Sequence, residues 1–244
     1  MGHNVRVSTM TASQARELWL ALVDNASRLI ADAHLLLKQS PGRARSLTVL
    51  AEEELGKALW LYDEFNSLWN VGSSEQRTVE RFKADGRNHA RKYFEAIVFG
   101  RELAMFWGDF SDIPGPGDGE SIEEFQAREA VEAEKGAKAA NLAKQAGFYV
   151  DVAPDGSVTS PASIEGIGVA KDLERAAKVV EMLLIRDHSR MKFEAEVPYE
   201  GTHEQQFRLL PVSHPEEFSA ARETAWPGSH ETPTPDSESE SNQN

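Results

Sequence analysis

The stretch LTVLAEEELGKALWLY, residues 47–62, carries the pattern that decides the fold. Its apolar residues recur every three or four positions, which predicts an amphipathic helix from about Pro41 to Trp69. Because a helix advances about 100° per residue, Glu54 falls in the middle of the apolar stripe. Burying an unpaired carboxylate is costly, so we expect Glu54 to face a partner.

A second polar anomaly lies in the next predicted helix, from about Glu75 to Phe110. His89 shares the apolar face of that helix, and Lys92 lies one step to its side. If the apolar faces of the two helices pack together, Glu54 and His89 meet between them. Lys57 and Lys92 are then expected at the rim of this contact.

The acidic run offers one more pair, because Glu53 and Lys57 are four residues apart on the edge of the stripe. The predicted contact between Glu54 and His89 has two interpretations. It can be a structural polar contact that fixes the register of two helices. It can also be a catalytic or ligand-binding pair, since perturbed ionisable groups gather at such sites. The helical pattern leaves both interpretations open.

The rest of the chain predicts a mainly α-helical bundle of about five long helices with a small β-hairpin near residues 148–160. We expect a flexible lead-in at residues 1–10, one helical domain at residues 11–212 and a disordered acidic tail at residues 213–244. The predicted helices run from Thr11 or Ser13 to about Gln39, Pro41 to Trp69, Glu75 to Phe110, Ser121 to Ala146 and Ile164 to Phe193.

Composition narrows the classes of function. The 244 residues carry a formal net charge of −14, which disfavours broad binding to nucleic acid but leaves room for a local basic pocket. The absence of cysteine excludes disulfides and thiolate zinc sites and fits the cytoplasm. The sequence contains no run of about 18 apolar residues, so it predicts no membrane-spanning helix. The Glu-x-x-His motif of helical metal centres is missing from residues 52–57, so we expect neither a metal nor a cofactor.

Three motifs, in order, resemble the AbiV-type abortive-infection branch of the HEPN superfamily. Residues 51–57, AEEELGK, resemble its acidic signature, which ends in E-E-x-G-K. Residues 89–92, HARK, resemble the H-x-x-K that follows. Residues 144–151, KQAGFYVD, with an Asp-Gly turn and Pro161 beyond them, resemble its K-x4-Y-V-D segment. The likeness covers roughly residues 14–185.

The resemblance implies a HEPN-like bundle and a role in phage defence, in which an infected cell arrests its own growth or translation. It also implies a homodimer, with RNA, the translation machinery or a phage protein as partner. Many HEPN proteins are metal-independent ribonucleases in which an Arg precedes a His by four to six residues, and the His is general acid or base. Here Arg87 lies too close to His89, and no His follows Arg186 at that spacing. Arg28 and His34 have the required spacing, but they lie in the first predicted helix, where the family motif is not expected.

The first candidate function is therefore a ribonuclease with Glu54 and His89 as its catalytic pair. The predicted supporting side chains are Glu53, Lys57, Lys92, Lys144, Tyr149 and Asp151. For Tyr149, packing within the hairpin is the alternative role.

Two other functions remain open. The missing Arg–His spacing and the negative charge favour a non-enzymatic helical protein, which would block translation or bind a phage protein without cutting RNA. The third candidate is a domain that binds a nucleotide or another small ligand, in which Lys57, Lys92 and Lys144 hold an anion.

Overall fold

The structure, a computed structural model, describes residues 9–85, 89–106, 115–152, 155–199 and 204–217. These residues form a mainly α-helical protein with two small antiparallel sheets, so the predicted fold class is confirmed. Every helix in these ranges is too short or too polar to cross a bilayer. The helices are α1 (Ala12–Leu36), α2 (Pro41–Asn70), α3 (Glu80–Asp85), α4 (His89–Phe106), α5 (Ile122–Ala146), α6 (Val169–Phe193) and α7 (Glu204–Ser213). The strands are β1 (Thr9–Thr11), β2 (Gln76–Thr78), β3 (Asp151–Val152) and β4 (Val158–Thr159).

Helices α1 and α2 form a hairpin at the centre of the core. The predicted start of α1 is confirmed, because the Thr11 hydroxyl accepts a hydrogen bond from the Gln14 amide and the Gln14 side chain accepts one from the Thr11 amide. Aromatic side chains then join the two helices. The Trp19 ring centroid lies 6.0 Å from that of Tyr62 and 6.1 Å from that of Trp69. Both distances are typical of favourable aromatic pairs.

The predicted helix from Glu75 to Phe110 is wrong at its beginning. Its first residues form β2, which pairs with β1 in the register Thr9 to Thr78. Helices α3 and α4 follow, while residues 86–88 between them and the predicted end of the helix at Phe110 lie outside the described ranges. Thr78 and Val79 are β-branched and favour extended backbone, which explains the strand. Residues 9 and 10 of the predicted flexible lead-in therefore belong to β1, and the Met10 side chain is buried.

Helix α5 and the hairpin follow the predicted pattern, whereas α6 begins later than expected. Ser121 caps α5 as predicted, and β3 pairs with β4 in the register Val152 to Val158. A single 3-10 turn at Pro161–Ser163 lies just before the predicted start at Ile164, and residues 164–168 are not helical. Gly168 has a positive φ of 78°, a conformation that glycine adopts without strain, and α6 starts directly after it.

The C-terminal part of the chain holds a helix that the sequence pattern missed. Helix α7 lies beyond Phe193, where the last predicted helix ends, and its residues Leu209 and Val212 enter the core. The predicted disordered tail starts at residue 213, but Ser213 is buried and His214 Nε2 lies 2.8 Å from Glu181 Oε2. The boundary of that tail is therefore wrong by at least these residues. Residues 218–244 of the predicted tail lie outside the described ranges.

Helices α2 and α4 meet backbone to backbone at Gly56. A Cβ atom added to Gly56 would overlap the carbonyl oxygen of Lys92. Only glycine permits so close an approach, because every other residue carries that Cβ atom. The contact brings α4 within side-chain reach of Glu53, which lies about one helical turn before Gly56 on α2.

We expect Gly56→Ala to lower the free energy of unfolding by about 1–3 kcal/mol, because the added methyl group must push α4 away. Urea denaturation followed by circular dichroism measures this change. Gly136→Ala on α5 is the matched control, since a Cβ atom there meets no atom within 4 Å. A Gly56→Ala protein as stable as the wild type would contradict the tight contact.

Candidate functional site

Three helices converge on the carboxylate of Glu53, which is only 5% exposed. His89 at the start of α4 places Nδ1 2.7 Å from Glu53 Oε2. Lys144 near the end of α5 donates a hydrogen bond of 2.6 Å to Glu53 Oε1. The Lys92 ammonium lies 4.0 Å from Oε2. We call these four residues the Glu53 cluster.

The end of α5 is held against α2 by a close contact near the cluster. The Ser46 hydroxyl donates a hydrogen bond of 2.8 Å to the carbonyl oxygen of Lys144. Gly147 follows the last turn of α5, and a Cβ atom there would overlap the Ser46 hydroxyl oxygen and the Gly42 carbonyl oxygen. The glycine thus lets α5 approach α2 closely enough for the Lys144 ammonium to reach Glu53.

The electrostatics of the Glu53 cluster combine one buried carboxylate with two ammonium groups and one imidazole. The side chains of Lys92 and Lys144 are 3% and 13% exposed, so their charges depend on Glu53 for compensation. The His89 side chain is 49% exposed. If Nδ1 donates its proton to Glu53, Nε2 of a neutral His89 is left with a lone pair as a proton acceptor.

The predicted contact between Glu54 and His89 is wrong, because the partner of His89 is Glu53. Glu54 is only partly buried and pairs with Lys57, at 2.6 Å between Oε2 and Nζ. The predicted pair of Glu53 and Lys57 is therefore wrong, because Lys57 pairs with Glu54. The physical reason is that α2 packs on several sides, against α1 as well as α4, α5 and α6. A single apolar stripe on a helical wheel cannot show which of three consecutive acids faces α4.

The other predicted site residues lie in different surroundings. Lys57 faces Glu54, whereas Lys92 and Lys144 face Glu53, so the three lysines do not converge on one anion site. Tyr149 on the hairpin is 68% exposed. Asp151 Oδ1 accepts a hydrogen bond of 2.8 Å from the amide of Val152. A functional role for the two hairpin residues stays a prediction.

A second polar cluster was missed by the sequence analysis. Glu52 is 1% exposed, and its Oε1 accepts a hydrogen bond of 3.1 Å from Arg175 on α6. Arg175 also pairs with Asp172 at 3.0 Å, and its positive charge acts on the Tyr93 hydroxyl of α4. We call these four residues the Glu52 cluster. The available signal was the acidic run itself, because three consecutive acids on a helix with apolar neighbours cannot all face water.

Burial dominates the protonation of the Glu52 cluster. It raises the pKa of Glu52 to about 7, although the nearby Arg175 guanidinium opposes the shift. Burial likewise raises the pKa of Tyr93, so its hydroxyl stays protonated. At neutral pH the Glu52 carboxyl is therefore present in both protonation states. In the described ranges, no group of three or more His, Cys, Asp or Glu side chains is arranged to hold a metal ion.

The raised pKa of Glu52 predicts a pH-dependent stability. The native state holds the Glu52 proton more tightly than the unfolded chain, whose pKa is about 4.5. The resulting stabilisation is complete below pH 4.5 and is lost as the pH rises through about 7. Compared with Glu52→Gln, the wild type should lose up to about 3 kcal/mol of unfolding free energy across this interval. Urea titrations at several pH values measure the difference, and parallel curves for the two proteins would contradict it.

Comparison with known proteins identifies the family. The family model HEPN_AbiV, described as AbiV, matches residues 14–181, which is more than half of the 244 residues. That range contains every residue of the Glu53 and Glu52 clusters. No curated protein and no solved structure matches the chain. The resemblance seen in the three motifs is thus confirmed. The chain belongs to the AbiV family of HEPN proteins, and this membership indicates a role in phage defence by abortive infection.

Proposed function

We propose that this protein arrests growth or translation in infected cells by cutting RNA in the cytoplasm, with the Glu53 cluster as its active site. The observation that carries the proposal is the hydrogen-bonding distance between Glu53 and Nδ1 of His89. A buried carboxylate that accepts the Nδ1 proton fixes the ring orientation and leaves Nε2 as an oriented base. The half-exposed ring makes this base accessible to a substrate.

The reaction that fits these groups is transfer within the RNA backbone. Nε2 of His89 takes the proton of a ribose 2′-hydroxyl, and the 2′-oxygen attacks the adjacent phosphorus. The bond from phosphorus to the 5′-oxygen of the next nucleotide breaks, giving a 2′,3′-cyclic phosphate. The leaving 5′-oxygen takes a proton from solvent or from the Lys144 ammonium. No water is consumed and no electrons are exchanged in this step.

The lysines supply the positive charge that the reaction needs. Lys144 lies at the edge of the cluster, with Nζ 3.4 Å from Nδ1 of His89, and can stabilise charge that develops on the phosphate. Lys92 is almost fully buried and acts through Glu53 rather than on the substrate. Arg87, which stands too close to His89 for the superfamily pattern, lies outside the described residues. In our proposal, Lys144 takes the part that an arginine plays in that pattern.

A non-enzymatic function is the second candidate, and the surface of the hairpin favours it. The large side chains of Tyr149 and Val150, just before β3, and of Val152 and Val158, within β3 and β4, are each more than 60% exposed. A surface of this kind can bind a protein of the phage or of the translation machinery. The homodimer implied by the family likeness also stays a prediction, which analytical ultracentrifugation would test.

Cleavage of RNA by the purified protein tests the first candidate. In the presence of a chelator, we expect His89→Ala to slow cleavage at least about 100-fold, because the base is removed. Glu53→Gln should slow cleavage at least about 10-fold, because the glutamine side chain no longer fixes the orientation and the charge of the His89 ring. Gel electrophoresis of end-labelled RNA measures the rates and shows whether the product ends in a cyclic phosphate.

Glu54→Gln is the comparison that separates the two acidic assignments. It changes a neighbouring carboxylate that pairs with Lys57 and not with His89. We expect this variant to keep most of the cleavage activity. Loss of cleavage in Glu54→Gln but not in Glu53→Gln would reverse the assignment. Thermal melts of each variant exclude unfolding as the cause, because Glu53→Gln leaves two buried lysines without their counter-charge.

A cell-free translation reaction separates the enzyme from the binding protein. If the protein is a ribonuclease, translation should stop as ribosomal or messenger RNA is cut, and His89→Ala should restore it. A block of translation with intact RNA, unchanged by His89→Ala but relieved by Val150→Asp on the hairpin, would support the binding protein instead. The same His89→Ala variant should relieve growth arrest in cells challenged with phage.

A further inference from the structure

A pocket of about 260 Å³ opens between α2, α4, α5 and α6 beside the Glu52 cluster. Its polar lining comes from Arg45, Thr48, Glu52, Tyr93 and Asp172. Helix α5 closes the other side with the small residues Gly136, Ala139, Ala140 and Ala143. Pockets for drug-sized ligands measure roughly 300–1,000 Å³, so this pocket suits a somewhat smaller molecule.

The pocket lies one helical turn from the Glu53 cluster along three helices at once. On α2, Val49 of the pocket is four residues before Glu53, and on α4, Tyr93 is four residues after His89. On α5, Ala140 is four residues before Lys144. Residues four apart share a helix face. The pocket therefore continues the surface of the Glu53 cluster at a distance of about one turn, or roughly 5–6 Å.

The polar groups of the pocket offer both donors and acceptors in nearly balanced charge. Arg45 lines the pocket together with the acids Asp172 and Glu52, and both acids pair with Arg175, which is not itself a lining residue. The Nε atom of Arg45 is buried and has no hydrogen-bond partner among the described residues. Buried donors are rarely left unpaired, so this Nε–H points to a missing acceptor. The wall at Tyr93 adds an aromatic ring to these groups.

We propose that this pocket binds a single unpaired nucleobase of the RNA whose backbone is cut at the Glu53 cluster. The inference rests on the proposed ribonuclease function and names the part of the substrate that fixes its position. Proteins that read single-stranded RNA hold splayed bases by stacking on aromatic rings and by hydrogen bonds to the base edges. The pocket supplies the Tyr93 ring together with hydrogen-bond donors and acceptors. A base in the pocket is joined through its ribose to the phosphate at Lys144, and this nucleotide spans the single helical turn between the pocket and the Glu53 cluster.

The charge balance favours a nucleobase over other small ligands. Two acids beside two arginines leave no strong net charge to attract a free phosphate or a metal ion. A nucleobase is neutral, planar and rich in hydrogen-bonding groups, and every base has a face that can stack. Glu52, with a carboxyl group that both donates and accepts at neutral pH, can pair with either kind of group on a base edge.

Isothermal titration of the full chain with adenosine, guanosine, cytidine and uridine tests the inference. These nucleosides lack phosphate, so their binding does not depend on contacts between a phosphate and Lys144. We expect at least one of them to bind the wild type. Gly136→Leu should weaken that binding at least tenfold, because the side chain extends from a position that lines the pocket into open space. Gly136→Ala is the matched control and should bind as the wild type does.

A second variant tests the pocket independently, so that the conclusion does not depend on substitutions at Gly136 alone. Glu52→Gln keeps the shape of the side chain but alters its hydrogen bonding, so the affinity for the bound nucleoside should change by about 5- to 150-fold. Glu54→Gln should bind nucleosides like the wild type, since Glu54 does not line the pocket and pairs with Lys57. Absence of binding for all four nucleosides at millimolar concentration, or equal binding by Gly136→Leu, overturns the inference.

The outcomes for the pocket and for the nuclease are distinguishable. RNA cleavage without nucleoside binding leaves the proposed function in place and rejects the base pocket. Nucleoside binding that Gly136→Leu removes supports the base pocket even if RNA stays intact, in which case only the nuclease proposal fails. Cleavage sites that follow the base preferred in titration would support both proposals together.

Discussion

The carboxylates of Glu52 and Glu53 are consecutive on α2 and both lie inside the protein. Buried charges require compensation, and each carboxylate obtains it from a different side. Arg175 on α6 meets Glu52, while Lys92, Lys144 and His89 on α4 and α5 surround Glu53. The positions of four helices are therefore tied to two adjacent residues. Removing either acid would take a carboxylate away from buried cations, which is more costly than the loss of a surface ion pair.

This arrangement connects stability with chemistry. The carboxylate that lies beside two buried lysines is also the group that hydrogen-bonds to His89. The neighbouring acid on the same helix forms part of a pocket about one turn away. A family whose name indicates abortive infection thus presents, in this chain, a compact polar region made from helices that also form its core.

Local signals, which are helix caps and helical periodicity, were enough to predict three features from the sequence. These are the fold class, the capped starts of α1 and α5, and a polar contact between α2 and α4. The choice of acid could not, since Glu52, Glu53 and Glu54 differ by 100° steps on a helix that is covered on several sides. Strand β2 escaped detection because its partner β1 is far away in the chain. Helix α7 escaped because Pro211 lies within it and proline usually breaks a helix.

Helix α5 has a property that sets it apart from the other parts of the site. Its described buried apolar side chains, Ala137 and Ala140, are small, whereas Ile122, Val131 and Leu142 are exposed. Few buried apolar contacts mean a low free energy of local opening, so amide protons of α5 should exchange faster than those of α2. Each such opening carries Lys144 away from His89 while the core remains folded. The lifetime of the complete Glu53 cluster is then governed by the docking of one weakly anchored helix.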